Sequence, residues 1–373
     1  MKLRAGIFPF SKEAFSLYWW LIDQNDRYSS IELIPPIGFG IEGQDISVID
    51  NRMQIGVTLA KDFRCAIQRI DILFIPEIEL NLKAKLKIID QLVHVTESSM
   101  KEIVCLMNLN WEADSMLNSF CNELGIKLVS LGKNDCEEHE SMDYHRLYRP
   151  RAAVIYIGEM VKGLNADEVV LILSNALINR GIRNVIIGTD SIYEYIPNAI
   201  RAEYLASEYK VSEKERITLL NKDIQKLEKQ NKPDIIIVRV PGIVLRFNEF
   251  MYSNLGITTY ILSQMLQPDY FVLCCPFGEF NTAFYELLSQ DFMNRYGMSI
   301  DFVHMSNRHL VMYEPNSEKE SEVPTYLNGR ETNNIMNKLK DTCRIPIDNA
   351  TIKEGIDHLV TDILFKLGGE VDE

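Results

Sequence analysis

The stretch Gly158-Glu159-Met160-Val161-Lys162-Gly163-Leu164-Asn165 has the glycine spacing of a phosphate-binding loop, G-x-x-x-x-G, between an apolar run and a helical pattern. In a working loop the next two residues are a lysine, which meets the β- and γ-phosphates, and a hydroxyl residue that holds Mg²⁺. Here they are Leu164 and Asn165. Leucine supplies no charge, and asparagine is a poor substitute for the hydroxyl. Asp167 and Glu168 follow in the first helical turn, where backbone amides would otherwise attract an anion. Carboxylates there already answer the helix dipole, so a triphosphate would meet repulsion. Asn165 and Glu168 also fit a capping box. The segment reads as a relic turn before a self-capped helix, with Lys162 as a cation that could reach back to an anion.

Gly38-Phe39-Gly40-Ile41-Glu42-Gly43 spells G-x-G-x-x-G, but the dinucleotide fingerprint opens a helix directly. Residues 44–56 are rich in Asp, Asn and Ser and lack a helical period. The three glycines would instead let a partner's backbone approach closely. Phe39 would offer contact area, and Gln44 and Asp45 polar anchoring. The alternative is a tight chain reversal with Phe39 packed inward. Arg239 stands inside a strand pattern, an unusual place for a charge unless it is paired or borders a site. Val240-Pro241-Gly242-Ile243 after that strand and Ser306-Asn307 after another fall where α/β sheets present ligand loops, although ordinary turn chemistry explains them equally well. Cys136, His139 and His145 share an acidic stretch, but their spacing matches no paired-ligand zinc knuckle. Cys274 and Cys275 are adjacent, so in a strand they point to opposite faces. No metal and no cofactor is expected, and no triad order, HExxH helix or carboxylate pair stands out.

The elements that must carry these residues alternate. Strand patterns fall at residues 4–8, 31–34, 71–75, 102–106, 127–131, 153–157, 184–187, 234–240, 270–275 and 301–304. Helical patterns fall at 14–22, 80–95, 112–124, 166–180, 200–230 and 351–367. This rhythm implies right-handed crossovers and parallel sheets. A chain of 373 residues is long for one core. The expectation is an α/β protein of two doubly wound domains with mainly parallel sheets. Residues 1–135 form a Rossmann-like or flavodoxin-like domain, and residues 150–373 a P-loop-like domain with a degenerate Walker A. Residues 132–151, polar and acidic, form the boundary, and 313–341 a polar, irregular excursion.

Apolar residues make up 46% and charged residues 25% of the chain, an ordinary globular balance. The net charge of -14 argues against nucleic acid, because each phosphate contact needs a cationic side chain. The longest apolar runs are strand-sized, so no membrane partner is expected. The N-terminus lacks the long apolar core of a signal peptide. Seven scattered cysteines, an odd number, read as reduced thiols in a cytoplasmic protein.

A family resemblance rests on Phe8-Pro9-Phe10-Ser11-Lys12-Glu13, on residues 36–45 around the Gly38 loop, on Val240-Pro241-Gly242, on Asn254 with Gly256-Ile257, on Pro268-Asp269 and on Ser306-Asn307. To about residue 310 the chain resembles the clostridial peptide maturation system proteins, encoded beside radical SAM maturases of Cys-rich ribosomal peptides. The resemblance implies an accessory, non-catalytic role in maturing a ribosomally synthesised peptide, with the precursor peptide, a radical SAM maturase or both as partners. A homodimer is also admissible. The second half is more distantly similar to the P-loop domain of dethiobiotin-synthetase-like proteins and departs from it at Leu164 and Asn165. The rival expectation is an enzyme that uses the old phosphate crevice for another anionic ligand or a nucleotide. Gly158, Lys162, Gly163, Arg239 and Asn307 would then converge on one pocket.

Overall fold

Near-continuous apolar runs become strands buried on both faces, as a helix-covered parallel sheet requires. Every residue of Ile72–Ile75 and of Tyr270–Phe277 is buried. The computed structural model describes residues 2–78, 81–95, 99–131, 147–206, 209–246, 255–278, 280–309, 325–340 and 342–368. The chain divides into two units, Met1–Glu138 with Asp190–Tyr195, and His139–Thr189 with Ile196–Glu373. Residues 132–146, which contain Cys136, His139, His145 and most of the expected boundary, lie outside the described residues.

In the first unit β1 (Leu3–Ile7), α1 (Phe15–Ile22), β2 (Tyr28–Leu33), α2 (Phe63–Arg69), β3 (Ile72–Ile75), α3 (Leu82–Val93), β4 (Glu102–Cys105), α4 (Trp111–Leu124) and β5 (Lys127–Ser130) follow one another. All sheet pairs are parallel and the order is β2-β1-β3-β4-β5. That is the flavodoxin-like order, with its switch point between β1 and β3. Short polar side chains start the helices. Asp62 accepts from the Cys65 amide at 2.7 Å, Asn81 from Ala84 at 3.0 Å and Asn110 from Ala113 at 3.1 Å. Beyond β1, the buried Phe8 and Phe10 pack edge-on against Phe63 and Phe15, with ring centroids 5.0 and 5.2 Å apart. Tyr195 belongs to this unit as well. Its ring lies 5.3 Å from that of Phe74 and 5.6 Å from that of Trp20.

The second unit contains β6 (Ala153–Glu159), α5 (Ala166–Ile178) and β7 (Asn184–Gly188); α6 (Ile192–Tyr195) counts with the first unit. There follow β8 (Ala199–Arg201), α7 (Glu213–Asn231), β9 (Ile235–Ile243), α8 (Ile257–Met265), β10 (Tyr270–Phe277), α9 (Thr282–Tyr296), β11 (Phe302–His309), β12 (Thr325–Tyr326), α10 (Gly329–Lys340), β13 (Ile347–Asp348) and α11 (Lys353–Gly368). The order is β12-β11-β10-β6-β9-β7-β8, with β13 on the start of β11 and only β12 antiparallel. The chain leaves β6 towards β7 and leaves β10 towards β11, in opposite directions. The switch point therefore lies beyond the carboxyl ends of these two neighbours.

Four expectations need correction. The helical pattern over 200–230 is α-helical only from Glu213, where Ser212 and Glu215 form a complete capping box; before it lie the edge strand β8 and a single 3-10 turn at Glu203–Leu205. The excursion at 313–341 contains β12 and α10, held by buried Thr332 and Met336. Pro241 and Gly242 form no turn. They lie inside β9, where the register jumps from Ile157–Arg239 to Glu159–Ile243. This is a bulge, a place where a sheet tolerates proline's missing donor, and Gly242 adopts φ +70° there. Asn307 likewise sits inside β11 rather than after it. Among the described residues no helix is long and apolar enough to cross a membrane.

Candidate functional site

At the switch point of the second unit, β6 ends in Glu159, only 4% exposed. Its carboxylate turns back into the glycine loop, and Oε2 accepts the Leu164 amide at 2.7 Å. The other oxygen is paired with the Arg239 guanidinium, itself 6% exposed. Arg239 Nε reaches Asp167 Oδ2 at 3.2 Å, and the same guanidinium donates to the Val240 carbonyl. The chain thus places its own carboxylate on an amide that a bound phosphate would use, and its own arginine beside it. The charges are inverted relative to a working P-loop, which has a cation in the loop and an acid on a neighbouring strand.

Gly158 lies where a Cβ would strike Val244, so glycine is needed there for β6 to pass the β9 bulge. Gly163 takes φ +84°. Lys162 is exposed, and its carbonyl accepts from the Arg308 guanidinium. Asn165 adopts φ +69°, and its side chain caps no amide of α5. The expected capping box therefore does not form. The left-handed backbone turns the amide aside, to donate to Glu168 Oε2 at 2.7 Å and to accept from Ser306 Oγ at 3.0 Å. Ser306 and Arg308 both reach the loop, so by strand alternation Asn307 points away. Its amide donates to the Leu327 carbonyl at 3.2 Å, and the convergence expected of Asn307 with Gly158, Lys162, Gly163 and Arg239 does not occur.

Sheet register reveals residues that the sequence reading missed. Glu159 pairs with Cys274, Cys274 with His304, and His304 with Asp348. Partners in a parallel ladder share a face, so Arg239, Glu159, Cys274, His304 and Asp348 form a buried polar row across five strands. Burial drives the Cys274 thiol far above its ordinary range; Glu159 pushes it the same way and Arg239 opposes. A neutral thiol is a poor nucleophile. His304 Nδ1 accepts the Ala350 amide at 3.0 Å. Asp348 is paired with Lys340 at 2.6 Å and with His358 Nδ1 at 3.0 Å. Cys275, on the other face, is also pushed up by burial alone. The missed signal was parity: Glu159 stands two residues beyond Ile157, the ladder partner of Arg239.

In the first unit the loop after β2 carries the other sequence candidates. Gly38, Gly40 and Gly43 all take positive φ, with open space beside Gly38 and Gly40. Phe39 is 70% exposed and Ile37 is exposed too, so Phe39 is not packed inward. Asp45 is engaged locally. It accepts from the amides of Ser47 at 2.9 Å, Ile55 at 3.3 Å and Gly56 at 2.7 Å. Burial alone would raise its pKa, but these hydrogen bonds prevail and hold it below the usual carboxylate value. Further along, Arg52 is ion-paired to buried Asp50 at 2.6 Å, and its guanidinium carbon lies 3.7 Å from the centroid of the Phe15 ring. The loop has a braced base and a bare tip. Among the described residues no group of three or more His, Cys, Asp or Glu is arranged to hold a metal ion.

No protein-family model matches the chain, and no curated protein does. Among solved structures the chain is similar to a DUF1611 family protein from Anabaena variabilis, at 11% identity and a TM-score of 0.56, over 97% of this chain and 99% of that one. This is a likeness of fold across both units. A nucleotide-binding protein from Archaeoglobus fulgidus in complex with ADP matches 58% of this chain and 88% of its own, at 14% identity and a TM-score of 0.28. The kinase domain of the Escherichia coli tyrosine kinase ETK matches 55% of this chain and 80% of its own, at 14% identity and a TM-score of 0.26.

Proposed function

We propose that this protein is an accessory, non-catalytic component in the maturation of a ribosomally synthesised peptide, that it binds the precursor or its radical SAM maturase, and that it does so without nucleotide. The carrying observation is the self-filled crevice: Glu159 takes the Leu164 amide, and Arg239 bridges Glu159 and Asp167. An enzyme using this crevice for an anion would need Arg239 and the Leu164 amide for its ligand, and both are engaged within the fold. The resemblance carried by the Phe8–Glu13 segment, the Gly38 loop and Ser306-Asn307 supports the biosynthetic context. The bare tip at Ile37 and Phe39 supports a role in contact with a partner, since exposed aromatic residues are favoured anchors in interfaces.

The test is co-expression of a precursor peptide and its maturase with and without this protein, together with co-purification. Maturation that falls when the protein is omitted and recovers when it is restored, with no ATP binding by the purified protein in calorimetry, is the expected result. Turnover of ATP by the purified protein, or maturation indifferent to its presence, would refute the reading.

A further inference from the structure

Trp111 is 85% exposed at the first position of α4, the most exposed large apolar residue of the described chain. It opens a surface groove of about 370 Å³ whose apolar lining continues through Met116 and Phe120 of α4 to Val93 of α3. Among the described residues the lining includes two acids, Glu112 and Glu123, and no lysine or arginine. These two lie eleven residues apart on one helix, roughly 16 Å at 1.5 Å rise per residue. Trp111 beside the first carboxylate, and half-buried Met116 with Ser115 and Ser119 between the two, are complementary to one kind of partner. Its apolar face fills the groove, and a cation meets each end, the first also able to stack on the Trp111 ring.

We propose that this groove docks an amphipathic peptide helix bearing basic residues about eleven positions apart, with apolar anchors at helical spacing between them. A second copy of this chain is a poor occupant, since the net charge of -14 sets copies against one another. The proposal deepens the accessory reading, because it supplies the chemistry of the peptide or maturase segment that would be recognised, and it rests on that reading for its biological setting.

The probe is a synthetic fluorescein-labelled 16-residue helix with Arg at two positions eleven apart and Leu or Phe at helical spacing between; a control has Glu for both Arg. Anisotropy titrations use the full chain. Binding of the Arg probe at least tenfold tighter than the Glu control is expected, as is a loss of tenfold or more in Trp111→Ala. Glu112→Lys with Glu123→Lys should reverse the preference between the probes. Trp111, Glu112 and Glu123 are all exposed, and unchanged melting of the variants verifies their folding. Equal binding of both probes, no binding of the Arg probe at millimolar concentration, or unaltered affinity in Trp111→Ala overturns the proposal. Failure of these titrations alongside maturation that still needs the protein removes the groove and leaves the accessory reading. Successful titrations alongside maturation indifferent to the protein do the reverse.

Discussion

Beyond the carboxyl ends of the second sheet, ionised side chains occupy the space that a ligand would take: Glu159, Arg239 and Asp167 bind one another and the loop. Beyond those of the first, aromatic rings fill the centre around Phe8 and Phe10, while the loop tip at Phe39 and the start of α4 at Trp111 stay exposed. Both units have the doubly wound topology that elsewhere leaves a crevice at this edge. The difference teaches that topology specifies where a site can lie, and that side-chain charge and exposure decide whether anything remains to be bound there.

The comparison breaks most readily at Arg239. Replacing it by methionine leaves the Glu159 carboxylate buried without its partner, and a loss of about 3–5 kcal/mol in urea unfolding is expected. Adding Glu159→Leu should recover much of that loss, since two apolar groups can replace a buried pair. A loss below about 1 kcal/mol for Arg239→Met would show that the pair does not close the crevice. In the first unit the effect should be smaller and divided. Asp45→Ala removes a carboxylate bound to three amides and should cost about 1–2 kcal/mol, seen as a lower melting temperature. Phe39→Ala should stay within about 0.5 kcal/mol yet impair peptide maturation. A Phe39 variant that melts much lower would show that the tip is structural.

Acid provides a finer probe. The Arg4 side chain, then its backbone amide, hold the Asp71 carboxyl down to about 2, against an ordinary 3.8. The folded value is depressed, so the stabilisation is complete above 3.8 and lost as the pH falls towards 2. The stability difference between wild type and Asp71→Asn should shrink across that window, modestly, because Arg4 is 43% exposed. A difference that grows on acidification would contradict the assignment. The smallest expected effect is none at all. Neither the wild type nor Leu164→Lys should bind Mg-ATP more tightly than about millimolar in calorimetry, because Glu159 still holds the amide of residue 164 and carries its charge into the loop.

Alternating apolar runs made the two parallel sheets legible, since strands buried on both faces leave an unbroken apolar signature. Arg239 was legible as a charge that needed a partner. Glu159 was not, because its pairing depends on register across β6 and β9, and register is a long-range property. Pro241-Gly242 reads as a turn in any local window; only the neighbouring strand shows it to be a bulge. Asn165 and Glu168 have the spacing of a capping box, but a left-handed Asn165 cannot aim its side chain at the amides. The start of α7 at the Ser212–Glu215 box was readable, and the charged periodicity of 200–230 obscured it.

The segment Asp190–Tyr195 bears on the order in which the protein can be made. It belongs to the first unit, yet the ribosome delivers it about fifty residues after the rest of that unit has been synthesised. At ~5–20 residues per second, the first unit waits roughly 2.5–10 s with the places of Tyr195 beside Trp20 and Phe74 unfilled. The nascent chain therefore completes its first core only after β6, α5 and β7 have been synthesised.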